Sequence, residues 1–132
     1  MLTKLAVVTI LVRDQDEALA YYTEKLGLEK MDDVILGGDR WLTVTAKNQK
    51  DVQIFLQKAD GFGMDLMDQV GKATTWAFNT DNCREDYETL KARGVKFTSE
   101  PKEQPWGTQA VFEDLYGNTF SIVEEPPASE SA

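Results

Sequence analysis

Glu113, Cys83 and the hydroxyls of Thr43, Thr75 and Ser121 are the side chains whose types could carry chemistry in this chain. The 132 residues contain no histidine. That removes Ser-His-Asp and Cys-His nucleophilic catalysis, histidine general bases and every histidine-containing metal site. Strand alternation makes Glu113 the one carboxylate on a face otherwise lined by hydroxyls, amides and aromatics. It is therefore the candidate general base. The plain alternative is a solvated glutamate at a strand end. Thr43, Thr75 and Ser121 can hydrogen-bond a ligand, or one another across strands.

Cys83 is alone, so the chain can form no intrachain disulfide and no CxxC cluster. A single thiol in an acidic chain suits a reducing cytoplasm, which is the expected location. Cys83 opens a helix, where a thiol pKa can fall. Without a histidine partner, a small structural residue is the better reading.

These residues must be positioned by an internal repeat. Val8 to Asp14 leads into a helix that stops at Gly27, and Thr75 to Asp81 leads into one that stops at Gly94. The same interval separates the two aspartates and the two glycines. Asp14 with Glu17 makes a capping box, and Leu19, Tyr22 and Leu26 give the first helix its apolar stripe. The second helix is expected to bury Tyr87 and Leu90. Three strand-like runs follow each helix, at about 29–36, 40–47 and 52–57, then about 95–99, 107–113 and 118–124. Gly37-Gly38-Asp39 and Asn48 to Asp51 supply turns, Pro101 to Gly107 a loop, and Leu115 to Asn118 another turn.

The expected fold class is α+β: two tandem βαβββ modules giving an eight-stranded curved sheet around a cleft, with helices on the outer face. A single domain covers residues 1–125, with halves of about 1–57 and 73–125, a linker of about 58–72 and a flexible tail over 126–132. The linker's Gly61-Phe62-Gly63-Met64 and Met67 read either as a flap or as a polar connector with two apolar anchors. Leu5 to Val12 is a brief apolar run rich in Val and Ile, which reads as a strand rather than a leader.

Alternation assigns the two faces of the strands. One face carries Val8, Ile10, Val12, Leu42, Val44, Ile54, Leu56, Trp76, Phe78, Ala110, Phe112, Phe120 and Ile122. It is wholly apolar, so it belongs under the helices, and Trp76 is expected in the core. The other face mixes Trp41, Thr43, Gln53, Phe55, Thr75, Glu113 and Ser121. So many polar groups are costly in a second core unless water or a ligand satisfies them. The mixed face is therefore the expected ligand site, with Trp106 at its rim. Trp41 and Trp106 can stack on a planar or cationic ligand, or pack a dimer.

Length and charge bound the partners. The chain is long enough to bury about two-thirds of its unfolded surface. Asp and Glu outnumber Lys and Arg, 23 against 14, for a formal charge of −9. Such a surface repels phosphate backbones and anionic membranes, so neither nucleic acid nor membrane is an expected partner. A cationic or neutral small molecule fits better.

The order of these pieces resembles the vicinal oxygen chelate superfamily, which holds glyoxalase I, bleomycin-resistance proteins and extradiol dioxygenases. The resemblance rests on Val8 to Asp14, Ala18 to Tyr22, Leu26 to Glu29, Leu90 to Val95, Gln104 to Gly107 and Phe112 to Asn118. The last is similar to the family's Phe-x-Asp-Pro-Asp-Gly-Asn turn, with Leu115 and Tyr116 in place of Pro and Asp. The resemblance places metal-ligand positions at Val7 (or Val8), Phe55, Thr75 (or Thr74) and Ser121. These side chains cannot hold a divalent cation against water, so no metal and no cofactor is expected. What the resemblance then implies is a metal-independent small-molecule binder of the bleomycin-resistance type. It would sequester a cationic or aromatic compound such as an antibiotic, and would pair as a homodimer. The alternative is a lyase or isomerase using Glu113 as base, with Thr and Ser donors on an oxyanion.

Overall fold

The computed structural model describes residues 1–73 and 76–126. It divides into two compact units, Met1–Gly71 and Lys72–Ala132. Each begins with a strand and a helix and continues with three strands, which is the expected α+β repeat. The eight strands form two four-stranded sheets, neither of them closed.

In the first unit β1 (Val7–Val12) leads to α1 (Gln15–Ala20), then to β2 (Glu29–Leu36), β3 (Asp39–Thr45) and β4 (Gln53–Lys58). The sheet order is β1-β4-β3-β2, with β1 parallel to β4 and the remaining pairs antiparallel. Asp14 caps α1 by accepting the Glu17 amide at 3.0 Å. Gln15 at the first turn donates to the Leu56 and Arg40 carbonyls, at 2.9 and 3.0 Å, and so docks the helix on β4 and β3. The single long helix expected up to Gly27 breaks its period instead. Tyr21–Lys25 is a π-helical turn, with Leu26 N–H reaching back to the Tyr21 carbonyl. The extra residue per turn carries both Tyr21 and Tyr22 into the core.

In the second unit β5 (Trp76–Asn79) leads to α2 (Cys83–Ala92), then β6 (Lys96–Gln104), β7 (Gly107–Glu113) and β8 (Thr119–Glu124), ordered β5-β8-β7-β6. Asn82 caps α2, accepting the Glu85 amide at 3.1 Å. β6 runs on past the expected end at 99, through Pro101. It can do so because it is an edge strand whose register shifts between Ser99 and Lys102. A proline at such an irregularity owes the ladder no N–H.

The apolar face is the helix face. Ile10, Val12, Leu42, Val44 and Leu56 are all but inaccessible in the first unit, as are Ala110, Phe112 and Phe120 in the second. Tyr87 of α2 meets Phe97 edge-on, and the rings continue through Phe112 and Phe120 to Phe78. Tyr87 and Leu90 themselves are only half-buried, and Cys83 is the fully buried residue of α2. Trp76 departs from expectation: it is 38% exposed. It shares a side with Phe120, but it starts the edge strand β5, whereas α2 lies over β6, β7 and β8.

Candidate functional site

The first unit gathers four of the expected residues. Trp41 and Thr43 alternate onto one face of β3, and Gln53 and Phe55 onto the same face of the neighbouring β4, where Thr43 pairs with Phe55. The Trp41 and Phe55 rings lie 4.3 Å apart, centroid to centroid, tilted by 32°. Phe55 is buried, and Phe62 meets it edge-on at 5.8 Å. Phe62 belongs to the segment between the halves. That segment is pinned where the Leu66 amide donates to the Ala59 carbonyl at 2.8 Å. Met64 Sδ accepts from Gln57 Nε2 at 3.6 Å. The segment therefore lies against the mixed face of β4.

Beside the aromatic shelf runs a fixed polar chain. A bulge in β2 sets Met31 and Asp32 opposite Thr43, between the Lys30–Val44 and Asp33–Leu42 pairs. The Asp32 amide therefore donates to Thr43 Oγ1, at 3.0 Å, and the Thr43 hydroxyl donates to Gln53 Oε1, at 2.7 Å. The Asp32 carboxylate accepts the Trp41 indole N–H at 3.2 Å. Thr43 is fully buried yet satisfied. With its oxygen so engaged, the Gln53 amide turns its nitrogen away from Thr43.

Below this, Arg40 holds the hairpin and helix together. It donates to both Asp33 oxygens, at 2.8 and 2.9 Å, and to Asp16 at 2.7 Å. These hydrogen bonds hold the Asp33 carboxyl below its usual range, against a smaller opposing effect of burial, and raise the Arg40 pKa further.

The other expected residues lie in the second unit or outside the described residues. Thr75 is in the latter group. Trp106 sits in the β6–β7 turn, 53% exposed, its indole N–H donating to Gln109 Oε1 at 2.6 Å. Ser121 lies mid-strand on β8, beside Val111 and Ala77, and is half-buried. Glu113 ends β7 and pairs with Lys96 across the strands at 3.0 Å. That contact gives Glu113 a structural role without any ligand. An open acidic groove of about 590 Å³ in this unit is lined by Glu103, Gln104, Thr108, Glu124 and Glu125, among others, and includes none of the expected residues.

Cys83 is buried, 3.8 Å from the Ile122 carbonyl. Burial first, then the nearby Glu124 carboxylate, pushes its thiol pKa up. This is the environment of an inert thiol.

Asp32, Gln57, Phe62 and Met64 were not among the expected site residues. Phe62 and Met64 carried a signal in the Gly-Phe-Gly-Met run, one of whose readings was a flap. Asp32 carried none, because strict alternation along β2 does not reveal a bulge.

A profile of the Glyoxalase/Bleomycin resistance protein/Dioxygenase superfamily matches residues 4–122. The chain belongs to this superfamily. It is 36% identical to YurT, an uncharacterized protein of Bacillus subtilis (strain 168), over 128 residues, 92% of this chain and 99% of that one. The crystal structure of UcmS2 superposes with a TM-score of 0.86 at 40% identity, over 93% of this chain and 98% of that one. TnmS3, described as an antibiotic binding protein from Streptomyces sp. CB03234, superposes at 0.82 with 27% identity, over 95% and 98%.

The superfamily's metal-using members raise the question of a metal here. The residues do not fit one. Val7 offers only an alkyl group, the Phe55 ring is engaged by Trp41 and Phe62, and Ser121 offers a neutral hydroxyl on another unit's sheet. Among the described residues, no three His, Cys, Asp or Glu side chains lie together in a way that could hold an ion. No helix among them is long and apolar enough to cross a membrane.

Proposed function

We propose that the protein binds a planar aromatic small molecule, such as an antibiotic, and sequesters it without metal chemistry. The observation that carries this reading is the Trp41–Phe55 pair set beside the fixed Thr43–Gln53 hydrogen bond. Aromatic walls supply stacking area, and a preset amide supplies direction. The antibiotic-binding description of TnmS3, a relative in fold and sequence, supports the ligand class. The −9 charge favours cations by long-range steering. The reading takes the protein to act as a homodimer in the cytoplasm.

A thermal-shift screen of planar aromatic antibiotics against the purified protein tests it. The expected result is a saturable rise in Tm with at least one such compound, lost in Trp41→Ala. No shift with any compound, or a shift indifferent to Trp41→Ala, overturns the reading.

A further inference from the structure

The proposed ligand class does not say how the shelf treats charge, and Asp32 bears on that. The β2 bulge turns Asp32 toward the shelf, and both of its polar ends are used there. Its amide organises Thr43 and Gln53, and its carboxylate meets the edge of the Trp41 ring. Its neighbour Asp33 is neutralised by Nε and Nη2 of Arg40, and Glu29 by Lys50. Among the described residues Asp32 forms no salt bridge; its carboxylate accepts one neutral indole N–H there. A part-buried carboxylate at the edge of an aromatic ring, with no cation paired to it among the described residues, is the complement of a cation that stacks on that ring.

Resting on the reading above, we propose that Asp32 is the charge-selecting residue of the site. Its carboxylate receives the protonated nitrogen of a planar aromatic cation lying on Trp41. The indole N–H occupies one lone pair of Oδ2 and fixes the carboxylate in place. The other oxygen is left to take an N–H donor from the ligand.

Proflavine, a planar aromatic cation, and acridine, its neutral parent at pH 8, are suitable probes. Binding of each is measured by fluorescence titration to the full chain, to Asp32→Asn and to Glu24→Gln. Asparagine keeps an oxygen for the Trp41 indole but removes the charge. Glu24, exposed on the helical layer, makes the same change in net charge away from the shelf. The expected result is that Asp32→Asn weakens proflavine about tenfold and leaves acridine unchanged, while Glu24→Gln changes neither. Equal weakening of both dyes by Asp32→Asn would make Asp32 only the anchor of Trp41 and overturn the proposal. So would equal effects of the two charge removals on proflavine. Either outcome leaves the aromatic-binding reading standing if Trp41→Ala still weakens acridine binding. If neither dye binds the wild-type chain saturably, the proposal falls, while the reading stands or falls on the antibiotic screen. Should Asp32→Asn fail to fold, the salt dependence decides. Proflavine binding to wild type that does not weaken as salt screens the charge, relative to acridine, overturns the proposal.

Discussion

Trp41 and Phe55 face each other across β3 and β4 at 4.3 Å between centroids, on the side of the sheet away from Leu42 and Leu56. The pair thus sits outside the helix-facing core, and its loss should separate binding from folding. Trp41→Ala is expected to weaken an aromatic ligand by ~1–3 kcal/mol while the fold persists. Leu56→Ala, at a site with no accessible surface, is expected to cost ~2–5 kcal/mol of stability with no specific binding defect. Urea unfolding and ligand titration on the same two variants check both halves. Equal stability losses would reverse the assignment of faces.

Phe62 covers Phe55 from a backbone conformation that disfavours it. Its φ is 56°, a left-handed value for a bulky residue, and Gly63 beside it has φ 71°. The ring contact with Phe55 and the Ala59–Leu66 pinch hold the tip. A ligand that reaches Phe55 must displace an edge-to-face pair worth ~0.5–1.5 kcal/mol. Phe62→Ala is therefore expected to tighten aromatic binding by up to about that amount. Weaker binding in this variant would show Phe62 to be a wall of the site rather than its cover.

The repeat, the helix boundaries at Gly27 and Gly94, and the division of strand faces were legible because each rests on local pattern. Both glycines do take positive φ, at 77° and 93°. Trp41, Thr43, Gln53 and Phe55 follow from the same alternation and do converge. Asp32 was not legible, since a bulge shifts phase without a distinctive residue. Nor was the continuation of β6 through Pro101, which depends on its being an edge strand. The exposure of Trp76 turns on which strands α2 covers, a tertiary matter. The π-helical turn at Tyr21 has no sequence signature at all.

Acid should loosen the hairpin through Asp33. Hydrogen bonds from Arg40 lower its folded-state pKa below the ordinary 3.8. A carboxyl depressed in the folded state adds stability above its unfolded value. That stability is lost as pH falls through the folded value. The window therefore lies below about pH 4. Urea midpoints measured downward from there should fall less steeply for Asp33→Asn than for wild type. Parallel slopes would mean that the Arg40 contact contributes nothing to acid stability.

Cys83 should report unfolding and nothing else. It has no accessible surface, and burial raises its thiol pKa, so little thiolate exists near neutral pH. Reaction with a disulfide reagent is expected to be slow in the native protein and complete within the dead time in denaturant. The native rate should then track global stability across variants such as Leu56→Ala. Fast labelling of the folded chain, without loss of structure, would contradict the buried position.

Pairing of two chains is expected from what the edges leave uncovered. On edge strand β2, Val34, Ile35 and Leu36 are 49%, 67% and 51% exposed, and Met31 is 43% exposed. Trp76 adds an exposed ring on edge strand β5. Edge strands with apolar side chains invite another chain unless charge or proline blunts them. The β2 tip, Val34-Ile35-Leu36-Gly37-Gly38, has neither. Closed two-fold pairing is the commonest way to cover such surface. Multi-angle light scattering at micromolar concentration is expected to give twice the chain mass of 14.8 kDa. Ile35→Lys should shift that mass toward the monomer while the far-ultraviolet spectrum stays unchanged, because Ile35 contributes little to the buried core. A wild-type monomer overturns the expectation outright. A dimer indifferent to Ile35→Lys moves the interface away from β2, leaving Trp76→Ala to test β5.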